Sequence, residues 1–416
     1  MARKQHDNFF MTAEHIGMGV PKDAADFDTP AWRGYDILTH TPPEKRWTDE
    51  LHARGIKSMP YMTLCYQYID DAGAGWAAGE TPDAVIIDQA GRPQLHENYR
   101  RHDGKWIYEI CTNTRKARDL YLKRAEMLMQ SGCDGLFLDN AAAARRCWGP
   151  QFGVHEHIHA GDPNARAEGH LGFCYPKAAR RYRLEIPVAD EEQTYSTAML
   201  IQEIRDLVLS YNRQNRIMLN GGEGSSLPPI FYQNSDSVMN EMFIYTTYLD
   251  FNFPAPTHLD FMDHTPLDWM NVLAWQKAFA DNARMNCLSA FSPHDPARRR
   301  HAIFAFCSAK LWDALFCTTS DPTLDAWLRD IRLGEPLTNK PGSWGAVFYR
   351  EFEHGLVLTN PFGIAQQATV PWTNKPTKII VHGDTSKVSH GAVEAGQGSI
   401  TLKLGPDCAA LILPGE

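Results

Sequence analysis

The chain has 416 residues, a formal net charge of -9, 43% hydrophobic residues and 22% charged residues. Those values exclude a disordered or fibrous chain. The negative balance gives no electrostatic reason to bind nucleic acid or anionic lipid, either of which needs a basic face to release counterions, so a neutral or weakly charged partner is expected. The length suits a barrel of roughly 250–330 residues with an appended module.

In chain order, Met1–Asp7 carries two basic residues but no apolar stretch of signal-peptide length. No uninterrupted apolar run approaches a membrane span, so a cytoplasmic protein without membrane contact is expected. The first strand is read at Asn8–Thr12 and the second at Tyr35–His40. A helix at Glu44–Arg54 is closed by Gly55, and the third strand is Ile56–Met62. Thr114–Gln130 places Ala117, Leu120, Tyr121, Ala125 and Leu128 at helical spacing, Gly132 ends it, and Asp134–Asn140 follows as the fourth strand. The Gly-, His- and Arg-rich stretch 141–190 reads as a long loop inserted over the strand ends.

Helix Tyr195–Tyr211 leads to strand five at Arg216–Asn220, and strand six is Asp236–Glu241. Helix Leu267–Met285 precedes strand seven at Cys287–Phe291, helix Arg298–Trp312 precedes strand eight at Ala314–Thr318, and a last helix, Leu324–Arg332, stops at Gly334. Alternation of this kind predicts an α/β fold, a (β/α)8 TIM barrel over residues 1–334. Beyond Gly334 short apolar runs at 344–350, 354–359, 368–370, 378–381, 399–403 and 409–413 alternate with turn residues. They predict a small antiparallel β-sandwich over 335–416.

In such a barrel, polar residues at the carboxyl ends of strands face the active site. Asp139 ends an apolar strand, and Glu241 ends strand six among Val238, Met239, Met242 and Phe243. Two carboxyls facing one another across a barrel mouth are what glycosidic cleavage requires. One protonates the departing oxygen, while the other attacks the anomeric carbon or activates water. The structural alternative for either is a cap or an ion pair. His40, Tyr61, Tyr66, Gln67, Asn140, Asn220, Glu223, Tyr245 and His294 are candidates for sugar binding at the same mouth. Glu14 and His15 after strand one are a further pair, and Glu109 and Asp88 are weaker acidic candidates.

The nine cysteines, Cys65, Cys111, Cys133, Cys147, Cys174, Cys287, Cys307, Cys317 and Cys408, are scattered and show no C-x-x-C spacing, so they read as buried thiols in a reducing compartment. The run His155-Glu156-His157-Ile158-His159 lacks the one-turn spacing of a zincin helix and reads as a polar loop facing solvent or substrate. No metal ligand and no cofactor is assigned. Gly221–Gly224 lacks the residues of a phosphate-binding loop and reads as a loop after strand five.

The segment Tyr108–Asn113, followed by a helix and by Gly132-Cys133-Asp134-Gly135-Leu136-Phe137-Leu138-Asp139-Asn140, resembles the G-x-D-G-x-x-x-D segment of glycoside hydrolases with TIM barrels. Related arrangements occur in polygalactosaminidase-like, dextranase-like and α-galactosidase-like groups. Gly345–Pro361 is similar to the first strands of the C-terminal β-domain in that broad group. The resemblance implies a retaining glycoside hydrolase acting on an oligo- or polysaccharide, with Asp139 as nucleophile and Glu241 as acid/base. Alternatives are a catalytically silent sugar-binding barrel, and a metal-dependent barrel hydrolase using His155, His157 and Asp139. A homo-oligomer is compatible with the aromatic-rich loops.

Overall fold

The computed structural model describes residues 10–12, 23–29, 32–68, 83–100, 106–141, 145–166, 190–220, 229–240, 288–291, 302–318, 326–372, 376–381, 394–396, 398–406 and 408–414, with helical positions also at 269, 270, 273, 276 and 277.

The N-terminal part builds parallel strands in chain order. They are β1 (Phe10–Thr12), β2 (Ile37–Thr39), helix α1 (Lys45–Ala53), β3 (Lys57–Met59) and β4 (Tyr61–Thr63). Pro60, which has no N–H to give a ladder, separates β3 from β4. A three-stranded antiparallel excursion then intervenes, β5 (Tyr66–Tyr68), β6 (Leu95–Arg100) and β7 (Trp106–Glu109), in the order β5-β7-β6. The pattern of the sequence predicts no such sheet, because its strands are short and carry no sustained apolar alternation. Helix α2 (Arg115–Met129), capped by the Thr114 hydroxyl accepting from Ala117 N–H, returns the chain to β8 (Gly135–Asp139).

Helix α3 (Glu191–Tyr211) starts four residues before its expected Tyr195 because Asp190 accepts from Gln193 N–H and sets the N-cap there. It is followed by β9 (Arg216–Asn220), a short helix at Pro229–Gln233, β10 (Ser237–Asn240), β11 (Leu288–Phe291), α4 (Ala302–Leu311), β12 (Leu315–Thr318) and a helical turn at Ala326–Arg329. Two parallel runs result, β1-β2-β3 and β4-β8-β9-β10-β11-β12, and β1 lies beside β12.

The period of two along each strand sorts side chains between two cores. Leu136 and Leu138 of β8, Ile217 and Leu219 of β9 and Val238 of β10 join the large cluster packed with the helices. Phe137, Met218 and Met239 of the same strands turn the other way, into a second cluster with Ile37, Met59, Leu315 and Cys317. Asp139 follows Phe137 by two positions and Asn220 follows Met218 by two. Alternation alone therefore places both with the second cluster.

The C-terminal part comprises β13 (Gly342–Trp344), β14 (Val347–Phe352), β15 (Gly355–Asn360), β16 (Gln366–Pro371), β17 (Pro376–Val381), β18 (Glu394–Gly396), β19 (Ser399–Leu404) and β20 (Cys408–Pro414). They form two antiparallel sheets, β13-β14-β15-β20-β17 and β16-β19-β18. Leu356, Leu358, Ile412, Val370, Ile400 and Leu402, drawn from both sheets, share one buried cluster. Among the described residues no helix is long and apolar enough to cross a membrane, and the seven described cysteines are buried thiols.

Candidate active site

Carboxylates at the two ends of the parallel strands have different surroundings. At the amino ends, Asp236 takes a two-oxygen grip from the Arg205 guanidinium (3.0–3.2 Å) and accepts Ile217 N–H. Asp134 likewise accepts Ser58 N–H and pairs with His52 at 2.8 Å. Both carboxylates tie neighbouring elements together.

Asp139 stands at the carboxyl end of β8, half-buried, and its donors come from strand ends on both sides. Oδ2 accepts from the Tyr61 hydroxyl on β4 at 2.8 Å and from Asn140 Nδ2 at 3.1 Å. Oδ1 accepts from Asn220 Nδ2 on β9 at 2.7 Å and from the Asn140 backbone N–H at 2.8 Å. Asn140 Nδ2 also donates to Thr63 Oγ1 at 3.0 Å. Four donors around one carboxylate fix its plane and use it purely as an acceptor.

The Tyr61 ring is itself positioned. His40 stacks on it with centroids 4.4 Å apart and planes 25° apart, and Thr39 Oγ1 lies 3.1 Å from His40 Nδ1. His40 and Asn140 both have left-handed backbone, φ 59° and 53°. A non-glycine residue held there costs on the order of 1–2 kcal/mol. It occurs here at the ends of β2 and β8, where each chain must turn sharply and leave its side chain over the strand ends. Among the described residues one other non-glycine residue, Asp313 after α4, shares this conformation at φ 54°.

Of the residues read from the sequence, the structure thus unites Asp139, His40, Tyr61, Asn140 and Asn220. Thr63 joins them without having stood out in the sequence, although it sits two residues past Tyr61 and so on the same side of the strand. Tyr66 and Gln67 lie on β5, paired with Glu109 and Tyr108 of β7, and not at the end of a parallel strand as expected. Glu109 is buried against Arg145 at 3.4 Å. Asp88 anchors a turn through Ala90 and Arg92 N–H, which hold its carboxyl below the usual range together with the Arg92 side chain. Glu241, Glu14, His15, Glu223, Tyr245 and His294 lie outside the described residues.

The histidine run does not face solvent or substrate as expected. His157 is 7% exposed and its Nδ1 lies 2.7 Å from Glu192 Oε1. Among the described residues His155 and His157 group with Cys111 and Cys147, not with Asp139. That removes the arrangement in which these histidines and Asp139 would share a hydrolytic metal.

No protein-family model and no curated protein matches the sequence. Solved structures do match in fold. The trehalulose synthase MutB from Pseudomonas mesoacidophila MX-45 aligns with a TM-score of 0.54 at 10% identity, covering 98% of this chain and 99% of that one. The isomaltulose synthase PalI from Klebsiella sp. LX3 gives 0.53 at 10% identity, with 98% of each chain covered. A MutB variant in complex with glucose gives 0.56 at 11% identity over the full length of both chains. At that identity the likeness is one of fold alone.

Proposed function

We propose that this chain is a glycoside hydrolase in which residues 1–334 form a closed (β/α)8 barrel and residues 335–416 a β-sandwich domain. Closure of the barrel is supported by the second buried cluster, which takes side chains from β2, β3, β8, β9, β10 and β12, and by the nearness of β1 to β12. The observation that carries the function is the Asp139 carboxylate at the carboxyl end of β8, held by Tyr61, Asn140 and Asn220.

A carboxylate surrounded by donors suits attack on an anomeric carbon or stabilisation of the positive charge that develops there. It does not suit proton donation. The second carboxyl is assigned to Glu241. Position 241 is two beyond Met239, as Asp139 is two beyond Phe137 and Asn220 two beyond Met218, the spacing at which strand side chains return to one face. Asp139 then attacks the anomeric carbon, displacing the leaving oxygen, to which Glu241 transfers its proton. Glu241 next takes a proton from water, which attacks the glycosyl ester and frees Asp139. A carboxyl separation of about 5–5.5 Å goes with this retaining course, and roughly 6.5–9.5 Å with direct inversion by water. Tyr66, Gln67, Glu223, Tyr245, His294, Glu14 and His15 remain the candidates for sugar contacts.

The test is a screen of aryl glycosides and natural oligosaccharides with product anomers followed by NMR. A hydrolysed substrate whose turnover is lost in Asp139→Ala and Glu241→Gln supports the reading. Activity within about tenfold of the parent in both variants rejects the assignment. Binding of sugars without new reducing ends would make the chain a carbohydrate-binding barrel.

A further inference from the structure

We propose that Cys111, Cys147, His155 and His157 are the ligands of a structural zinc ion that pins the loop after β8 to the rest of the α/β part. Their ligand atoms all lie within 4.8 Å of one another. Cys111 Sγ is 3.5 Å from His157 Nε2, and Cys147 Sγ is 3.2 Å from His155 Nε2. Tetrahedral zinc with about 2.3 Å bonds to sulfur and about 2.0–2.1 Å bonds to nitrogen spaces its ligand atoms roughly 3.3–3.8 Å apart. Both of these separations fall within a few tenths of an ångström of that edge, and the wider ones, up to 4.8 Å, would contract by up to about 1 Å on binding.

The surroundings are those of metal ligands and not of chance neighbours. Glu192 Oε1 faces His157 Nδ1 at 2.7 Å and is itself held by Asn113 Nδ2 at 2.8 Å. With Nδ1 engaged by a carboxylate, Nε2 is turned toward the two sulfurs, the carboxylate–histidine relay that orients zinc-bound imidazoles. The backbone N–H groups of Ile87 (3.3 Å) and Gly149 (3.5 Å) both donate to Cys147 Sγ, as backbone donors support thiolate ligands. The His155 ring occupies the space over Gly149, where a β-carbon would come 2.1 Å from Nε2. Glycine at 149 is therefore a condition of the histidine's placement. The Gln193 amide Nε2 lies 3.3 Å from His157 Nε2 and 3.4 Å from Cys111 Sγ, contacts that a bound ion would replace.

Two thiolates and two neutral imidazoles complete a tetrahedral shell with no open position, which is the pattern of a structural and not a hydrolytic zinc. Binding releases the two thiol protons to solvent and no bond is oxidised or reduced. The ligands join three places: the turn between β7 and α2, the segment 145–157 that follows the Asp139–Asn140 strand end, and the amino end of α3 through Glu192. The ion would therefore order the segment that follows the β8 strand end in the chain, independently of what the candidate active site hydrolyses.

The full-length protein purified without chelator should contain about one zinc per chain by mass spectrometry of the elements. Exchange with Co2+ should give thiolate-to-metal charge-transfer absorption and the strong visible bands of a tetrahedral centre. Cys111→Ser should lose the metal, whereas His159→Ala, whose ring faces Arg118 and Asp162, should keep it. If Cys111→Ser does not fold, the cobalt spectrum of the parent protein decides. Parent protein that takes up neither zinc nor cobalt, or whose Cys111 and Cys147 are recovered as a disulfide after alkylation, would overturn the proposal.

Discussion

Two of the donors on Asp139, the Tyr61 hydroxyl and the Asn220 amide, come from neighbouring strands, so each can be removed without taking the other. Tyr61→Phe deletes one bond to a carboxylate while keeping the ring that stacks on His40. A hydrogen bond to a charged group contributes about 1.5–3 kcal/mol, which corresponds to a fall in kcat of about tenfold to a hundredfold. Steady-state kinetics on the substrate found in the screen would measure it. Asn140→Ala keeps the backbone N–H but loses the side-chain amide that donates to Asp139 and Thr63, and leaves a residue less tolerant of left-handed backbone, so both kcat and thermal stability should drop. Asp139 was legible in the sequence because a carboxylate ending an almost wholly apolar strand must either be solvated by a cleft or be paired. Its partners were legible only as polar residues at other strand ends, since local periodicity does not say which two ends touch.

At the scale of elements, close backbone contact decides which residues are tolerated. A β-carbon at Gly135 would lie 1.8 Å from Arg216 O and 2.7 Å from Met59 Cε, in the ladder between β8 and β9. Gly135→Ala is expected to destabilise by on the order of 3 kcal/mol or more, read from urea unfolding.

Helix α4 presents another constraint, because Lys310 is fully buried in it, 4.0 Å from Asp313. Burial pulls its ammonium down to about 8, against the partial opposition of Asp313. Between about pH 8 and about pH 10.5 the unfolded chain keeps a proton that the folded chain has released, so folding gains stability as pH rises through that window. Below it the cost of the buried charge is present in full. Lys310→Met lacks this dependence. The stability of the parent relative to the variant should therefore increase from about pH 7.5 to about pH 9.5, and an unchanged difference would contradict it. The expected helices and strands were largely found because hydrophobic period and glycine stops are local. The β5-β7-β6 sheet escaped because its residues carry no strong apolar alternation.

Across the whole molecule the α/β part and the C-terminal β region are not independent. Phe352, Val357, Ala409 and Leu411 belong to the same buried cluster as Phe304, Phe306 and Cys307 of α4. The Arg350 guanidinium donates to Leu311 O at the end of that helix and to Thr338 O, both at 2.8 Å. Unfolding should accordingly follow one cooperative transition by calorimetry, and two well-separated transitions would show that this junction contributes little. A chain stopped after residue 334 should expose the apolar face of α4 and aggregate.

The amino-acid sequence by itself determined the alternation of parallel strands and helices, the change to antiparallel β-structure near residue 335, and the polar residues left at the strand ends. Each of these is written in spacing over a few residues. Only the tertiary structure decided that Tyr61, Asn140 and Asn220 converge on Asp139, and that two scattered cysteines meet two loop histidines. Such meetings join residues far apart in the chain, brought together by the packing of whole elements, and no local period records them.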